Sequence, residues 1–136
     1  MKSEKKRQKA IVEASAPSAQ ARGRFAEERA AVWLAGQGVE IIARNLRCRG
    51  GEIDLIGLER GALLFVEVRL RASGNYGGAA ASITAAKRRR VILAARGWLA
   101  GAGRAYRNHP CRFDAVLFDG AETVTPQWIR GAFECD

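Results

Sequence analysis

Two acidic residues on neighbouring predicted strands are the first candidates for chemistry. A short Arg-Gly turn at residues 60–61 separates two apolar runs, and a two-residue hairpin turn fixes the register of its strands. Counting outward from this turn places Asp54 directly opposite Glu67, and Glu52 opposite Arg69. Directly opposed side chains have Cβ atoms about 4.5–5.5 Å apart, and like charges at that distance destabilise a sheet. The hairpin therefore predicts a carboxylate pair that needs a positive partner.

A divalent cation would relieve this repulsion. Strand alternation predicts a polar face with Glu52, Asp54, Glu67 and Arg69, and an apolar face with Ile53, Leu55, Val66 and Val68. Hard Mg²⁺ binds carboxylate and carbonyl oxygens and keeps waters that a phosphate can displace. The alternative is a solvent-facing strand face on which the acids pair with Arg69 and Arg71.

The surrounding pattern predicts the elements that position these residues. Apolar spacing indicates a helix over residues 23–36, and glycine turns then separate three short strands. Residues 72–82 are predicted to form a loop, Thr84 to cap a helix running to about residue 101, and residues 111–119 to form a fourth strand. The last segment fits either an edge strand or a short helix. This order predicts an α/β domain with a mixed sheet flanked by helices.

Positive charge is concentrated in two segments of the 136-residue chain, which has 23 Lys and Arg against 14 Asp and Glu. Residues 1–22 are predicted to form a flexible basic arm, and residues 87–107 contain seven basic residues and no acid. Such an uneven distribution favours a polyanionic partner; the alternative is an ordinary solvated surface. No segment approaches the ~20 apolar residues of a membrane span, which predicts a cytoplasmic protein with no membrane partner.

Several other classes of site find no support. The three cysteines form no CxxC pair, which argues against a disulfide framework or a structural zinc site. The chain has no GxxxxGKS, no GxGxxG after a strand and no GxSxG, so nucleotide hydrolysis, dinucleotide binding and α/β-hydrolase chemistry are not indicated. The single histidine, His109, lies in a predicted turn.

The strings GGEIDLIG and LLFVEVRLR resemble the signature of the YraN family of predicted endonucleases. That family is similar in turn to the PD-(D/E)XK nucleases and the Holliday-junction resolvases. Further matches occur in order along residues 23 to about 119. They are Gly23, Ala26, Glu27, Ala30, Trp33 and Leu34 in the first helix; Arg44, Asn45 and Arg47 before the hairpin; Tyr76, Gly77, Ile83, Thr84 and Lys87; and Arg112, Phe113 and Asp114 in the last strand.

This resemblance implies a restriction-endonuclease-like fold over a single nuclease domain, residues 23–136. It also implies a Mg²⁺ or Mn²⁺ site formed by Asp54, Glu67, the helix residue Glu27 and the carbonyl of Val68, with Glu52 as a further group for positioning metal or water. The main departure is Arg69, which stands where the family usually has lysine. Arginine can stabilise a phosphate in the transition state, but a guanidinium stays protonated in proteins and cannot act as a general base.

The remaining cations divide between catalysis and DNA binding. Lys87 falls in the first turn of the second helix, where both the ammonium and the helix N-terminus would face a phosphate; the alternative is a solvated lysine. Arg71, Arg88 and Arg90 are predicted contacts to the nucleic-acid backbone.

Three functions follow. The first is a metal-dependent endonuclease acting on DNA, with branched or structured DNA by analogy with the resolvases. The second is a catalytically inactive nucleic-acid-binding module that retains the fold, and the third is a partner of acidic protein surfaces. The resemblance to the resolvases also implies a homodimer as one option, since a four-way junction has two-fold symmetry.

Overall fold

A computed structural model describes residues 18–71, 83–120 and 125–134 of the chain. Its elements are α1 (Ala19–Gly36), β1 (Glu40–Cys48), β2 (Gly51–Glu59), β3 (Ala62–Arg71), α2 (Ala85–Ala100), a 3₁₀ turn (Arg104–Tyr106), β4 (Cys111–Asp119) and β5 (Gln127–Phe133). The predicted order of elements is confirmed, and the final segment is a strand. The predicted loop at 72–82, with Tyr76 and Gly77, lies outside the described residues.

The five strands form one mixed sheet in the order β1-β2-β3-β4-β5. Neighbours are antiparallel except β3 and β4, which run parallel. Because parallel neighbours require a crossover connection, α2 passes over one face of the sheet between them. The predicted α/β class is confirmed, and the architecture is consistent with a restriction-endonuclease-like fold.

The two helices cover opposite faces of the sheet. Strand alternation sends Phe65 into a cluster with Val91 and Trp98 of α2. It sends Leu64 and Val66 into a second cluster beneath α1. The sheet therefore forms the middle of three layers. No helix among the described residues is both long and apolar enough to span a membrane.

The first helix begins four residues before its predicted start. The Ser18 hydroxyl accepts a hydrogen bond from the N–H of Ala21 and caps the helix, and the Ala-Gln-Ala segment that follows consists of good helix formers. The prediction began at Gly23 because the apolar face begins near there. Residues 19–22 thus belong to α1 rather than to the predicted arm, whose residues 1–17 lie outside the described part of the chain.

The central hairpin has the predicted register only in part. Leu55 pairs with Val66 and Glu59 with Ala62, but the ladder between β2 and β3 ends at Leu55. Before that point the alternation of β2 breaks, since Ile53 packs beneath α2 while Leu55 packs beneath α1. The expectation that Ile53 and Leu55 share a face is therefore wrong. The irregularity falls at Asp54, where a side chain replaces the backbone ladder.

The second helix is fixed against the turn between β1 and β2. The Thr84 hydroxyl accepts a hydrogen bond from the N–H of Lys87, as the capping pattern predicts. A Cβ placed on Gly51 would lie 2.1 Å from the carbonyl oxygen of Arg90, so only glycine allows this close approach. The N-terminal half of α2 is thereby held beside the start of β2.

Strand β5 is anchored through the fully buried Asp114. The Asp114 carboxylate accepts hydrogen bonds from Arg112, from Trp128 Nε1 and from the N–H of Gly131 at 2.8–3.0 Å. These bonds bridge an irregularity in the β4–β5 pairing beside Asp114. The Arg-Phe-Asp motif therefore stabilises the pairing of β4 and β5, and Trp128, which the sequence left without a role, is part of the same network.

Candidate active site

An open pocket of about 240 Å³ lies at the point where β2 and β3 lose their regular pairing. Five elements contribute to its walls, and both helical layers reach it. The lining residues are Gly23, Ala26 and Glu27 of α1; Asn45, Leu46 and Arg47 of β1; Glu52, Ile53 and Asp54 of β2; Glu67, Val68, Arg69 and Leu70 of β3; and Lys87 of α2. All the residues predicted for catalysis or metal binding are among them.

Asp54 lies at the break in the β2–β3 ladder. Its Oδ2 accepts a hydrogen bond from the backbone N–H of Val68 at 2.8 Å. This bond uses one carboxylate oxygen to replace the missing backbone pairing and fixes the orientation of the side chain. Val68 lines the pocket, and its N–H joins it to Asp54; metal binding by its carbonyl stays a prediction.

Glu67 is the most deeply buried acid of the pocket, with 1% of its surface exposed. Its Oε2 lies 3.4 Å from Lys87 Nζ, while its buried Oε1 has no hydrogen-bond partner. Burial, followed by repulsion from Asp54, raises the pKa of Glu67 to about 8. A side chain of this kind is costly to keep in a core unless a cation or a proton compensates it.

Glu27 reaches the same pocket from α1. Burial, followed by the charge of Asp54 and a hydrogen bond with it, raises the pKa of Glu27 to about 7. Its Oε1 is also buried without a hydrogen-bond partner. Asp54 thus has an acidic neighbour on each side, one from α1 and one from β3.

Glu52 is engaged by cations of α2. Its Oε1 accepts hydrogen bonds from Lys87 Nζ at 2.9 Å and from Arg90 at 3.1 Å, and the bond to Lys87 is the main cause that lowers the pKa of Glu52. Burial acts to lower the pKa of Lys87, but the bond to Glu52 and the nearby charge of Glu67 outweigh it, and the pKa lies above its ordinary value. Lys87 is therefore an ammonium at neutral pH, held between the carboxyl groups of Glu52 and Glu67.

The other predicted cations occupy different positions around the pocket. Arg69 lines it from β3, and Arg71 lies at the end of the same strand. Arg90 faces the pocket through Glu52. Arg88 comes two residues before Arg90, so the two side chains are about 200° apart around the axis of α2. Arg88 therefore lies on the flank of α2 that carries Ile92, Ala95 and Leu99.

That flank of α2 borders a second, more apolar pocket of about 420 Å³, between the helix and the sheet. Arg88 is therefore directed away from the acidic pocket, whereas Lys87 and Arg90 are directed toward it.

Two polar residues of the pocket lining, Asn45 and Arg47, had no predicted role beyond the motif match. Arg47 lies directly opposite Glu52 in the β1–β2 register, and its charge acts on both Glu52 and Glu27. Asn45 adopts φ 50° beside it, a backbone conformation that asparagine tolerates better than most residues. The two turn residues are Arg49 and Gly50, so Cys48 pairs with Gly51 and Arg47 with Glu52. A turn at Gly50 and Gly51, which the glycine pattern indicates, would instead oppose Arg49 to Glu52.

The pocket contains oxygen donors suited to a hard cation. Among the described residues, no three His, Cys, Asp or Glu side chains form a complete ligand set. Mg²⁺ does not require one, since it is commonly bound by one or two carboxylates together with water and substrate phosphate. The unpartnered oxygens of Glu67 and Glu27, on either side of Asp54, fit that mode of binding.

The fold and the pocket define an α/β protein of restriction-endonuclease-like architecture, with an acidic pocket where two central strands separate. A family model described as uncharacterised protein family UPF0102 matches residues 26–118, and the chain belongs to that family. The YraN resemblance is thereby confirmed at the level of the family. The description names no activity, and the nuclease resemblance stays a prediction.

Similar proteins match over most of their length. A UPF0102 protein of Cupriavidus taiwanensis is 52% identical over 121 residues, or 88% of each chain. One from Dechloromonas aromatica is 51% identical over 116 residues, covering 85% of this chain and 91% of the relative. One from Nitrosomonas europaea is 50% identical over 117 residues, covering 86% and 97%.

Proposed function

We propose that the protein is a Mg²⁺- or Mn²⁺-dependent endonuclease that hydrolyses phosphodiester bonds in DNA. The observation that carries this proposal is Glu67, a buried carboxylate with one oxygen lacking a hydrogen-bond partner. It lines an open pocket together with Asp54 and with several cations. A purely structural acid at that depth is normally fully hydrogen-bonded, as Asp114 is in this protein.

Asp54 and Glu67 would hold the metal ion, with Glu27 beside them. When bound, the ion would lower the pKa of a coordinated water and stabilise the charge that develops on the phosphate. The hydrogen bond from the Val68 N–H orients Asp54. Burial keeps bulk water from Glu67. The chain thus supplies positioned carboxyl oxygens in the lining of an open pocket.

The cations of the pocket would bind and polarise the phosphate. Lys87 is charged at neutral pH and lies 3.4 Å from Glu67, so its contribution is electrostatic rather than that of a base. Arg69 also lines the pocket; its guanidinium can contact two phosphate oxygens at once. Lys87 on α2 would then supply the ammonium that the family usually places on β3, at the position of Arg69.

A second candidate function is a non-catalytic nucleic-acid-binding module. The substitution of arginine for the usual strand lysine at position 69 favours it, because the two side chains differ in geometry and titration. Both functions predict binding to DNA, and only the first predicts metal-dependent cleavage.

The deciding experiment incubates the protein with four-way junction, flap, single-stranded and linear duplex DNA, in Mg²⁺, in Mn²⁺ and in EDTA. Endonuclease activity predicts cleavage with metal and none in EDTA. Asp54→Asn and Glu67→Gln should each abolish cleavage and leave DNA binding in place. Glu40→Gln, an exposed substitution at the start of β1, is the matched control and should cleave like the wild type.

Two results would contradict the proposal. Wild-type protein that binds DNA but cleaves none of the four substrates with either metal would favour the binding module. Cleavage that persists unchanged in Asp54→Asn would indicate a contaminating nuclease or a different site.

A further inference from the structure

The basic residues near the acidic pocket are arranged on both sides of it. Strands β1 and β3 run antiparallel to β2, which lies between them. The end of β1, the start of β2 and the end of β3 therefore meet at the same end of the sheet. The N-terminus of α2 also lies there, because Lys87 contacts acids of β2 and β3.

Arg47 and Arg49 are the basic residues on the β1 side. Arg47 lines the pocket opposite Glu52. Arg49 lies two residues further along, outside the pocket lining, and is exposed in the β1–β2 turn. The turn cannot move freely, since Gly51 packs directly on the backbone of α2.

Arg69 and Arg71 form the matching pair on the β3 side. Residues two apart on a strand point to the same face, and Arg69 lines the pocket while Arg71 lies beyond it at the end of the strand. Each side of the pocket therefore has one arginine within it and one outside it.

This distribution exceeds what a single phosphate can use. A ligand confined to a pocket of about 240 Å³ would contact Arg47, Arg69 and Lys87 and would not reach Arg49 or Arg71, which lie outside the pocket lining. Phosphates on both sides of the central one would reach the outer arginines.

We propose that two cationic walls hold a continuous nucleic-acid strand across the acidic pocket. Arg47 of β1 and Arg49 of the β1–β2 turn form one wall, and Arg69 and Arg71 of β3 form the other. This rests on the proposed function for the identity of the ligand, and it adds a binding role for Arg47 and Arg49. A strand held in this way passes over β2, with the central phosphate at Asp54 and Glu67 and the flanking phosphates at the walls.

The two arginines on the β1 side, Arg47 and Arg49, should respond differently to ligand length. Arg47→Gln should weaken binding of both a single-stranded octanucleotide and the dinucleotide d(TpT), because Arg47 lies within the pocket. Arg49→Gln should weaken binding of the octanucleotide alone. Both side chains are exposed, so the variants should fold, and thermal melts verify this.

Salt dependence provides a second measurement. Each phosphate contact on a single strand contributes about 0.7 to the slope of log K against log salt concentration. The double variant Arg47→Gln/Arg49→Gln should therefore flatten the octanucleotide slope by about 1.4. The control is Arg104→Gln/Arg107→Gln, which removes the same charge from exposed positions beyond the other end of α2, roughly 24 Å along the helix. Its slope should match that of the wild type.

All binding is measured in EDTA, so that the outcome does not depend on cleavage. Equal losses of binding in Arg47→Gln/Arg49→Gln and in the control variant would reduce the effect to net charge and overturn the proposal. Unchanged octanucleotide binding in Arg49→Gln would also overturn it. Displacement of the octanucleotide by an equal charge concentration of poly-glutamate would indicate an acidic protein partner instead. If the slope changes as expected but no DNA is cleaved in Mg²⁺, the two cationic walls are supported and the endonuclease proposal fails. If DNA is cleaved but the slope does not change, the endonuclease proposal is supported and the two walls are overturned.

Discussion

The buried carboxyl of Glu67 should make the stability of the metal-free protein fall as the pH rises. Its pKa lies at about 8 in the folded protein, against an ordinary value of 4.5. Between these two values the folded state keeps a proton that the unfolded chain releases. Unfolding is then favoured by increasing pH. Glu27, with its pKa raised to about 7, acts in the same direction.

The size of the effect follows from the pKa. One pKa unit corresponds to about 1.4 kcal/mol, so Glu67 should reduce the free energy of unfolding by about 1.4 kcal/mol for each pH unit between about 5 and 8. The total is on the order of 5 kcal/mol. This is a large part of the 5–15 kcal/mol typical of a folded domain. The stability from this group is fully present below pH 4.5 and is lost as the pH passes 8.

Urea unfolding in EDTA at pH 5, 6.5 and 8, followed by circular dichroism, measures this dependence. Glu67→Gln keeps the shape of the side chain and cannot ionise, so it should resemble the wild type at pH 5 and exceed its stability by several kcal/mol at pH 8. Glu40→Gln removes an exposed carboxyl and should retain the wild-type slope. Parallel stability curves for wild type and Glu67→Gln would refute the reasoning.

Added Mg²⁺ should have the opposite pH dependence. Metal ligands must be deprotonated, so the increase in melting temperature caused by millimolar Mg²⁺ should grow between pH 6 and 8. A ligand that binds only the folded state stabilises it by mass action. Asp54→Asn should lose this increase. An equal response in wild type and Asp54→Asn would exclude Asp54 as a ligand.

Three further predictions concern the fold and the departure at position 69. Asp114→Asn should destabilise the protein by about 3–5 kcal/mol in urea melts, because it breaks a buried charge network, whereas the exposed Asp119→Asn should have a small effect. Gly51→Ala should destabilise the protein by about 2 kcal/mol or more, since its methyl group would lie 2.1 Å from the backbone of α2. Gly97 lies in α2 with open space around it, so Gly97→Ala should stabilise the protein by about 0.5–1 kcal/mol. If the missing strand lysine limits catalysis, Arg69→Lys should raise the cleavage rate with little change in DNA affinity. An unchanged cleavage rate would indicate that Lys87 alone supplies the ammonium that catalysis needs.

Local sequence signals were enough to predict the elements and part of the site. The Arg-Gly turn fixed the hairpin register as far as Leu55 and Val66. Thr84 fixed the start of α2. These features depend on contacts between residues close in the chain, where a turn or a capping hydroxyl leaves few alternatives. The carboxylates Asp54 and Glu67 were found in the same way.

The start of α1 was less predictable. The apolar spacing that marks the packed face begins near Gly23, but the helix continues back to Ala19 because Ser18 caps it. A capping hydroxyl can extend a helix beyond the part that packs on the core. The apolar pattern therefore located the buried face and missed the terminus.

Only the tertiary structure decided how the pocket is assembled. Glu27, Arg47 and Lys87 come from three elements far apart in sequence, and packing on the two faces and one end of the sheet brings them together. The break in alternation at Asp54 was also hidden, because a side-chain hydrogen bond to Val68 replaces the expected backbone pairing. Regular period-two alternation assumes an unbroken ladder, and here the ladder opens to let both helical layers reach the same carboxylates.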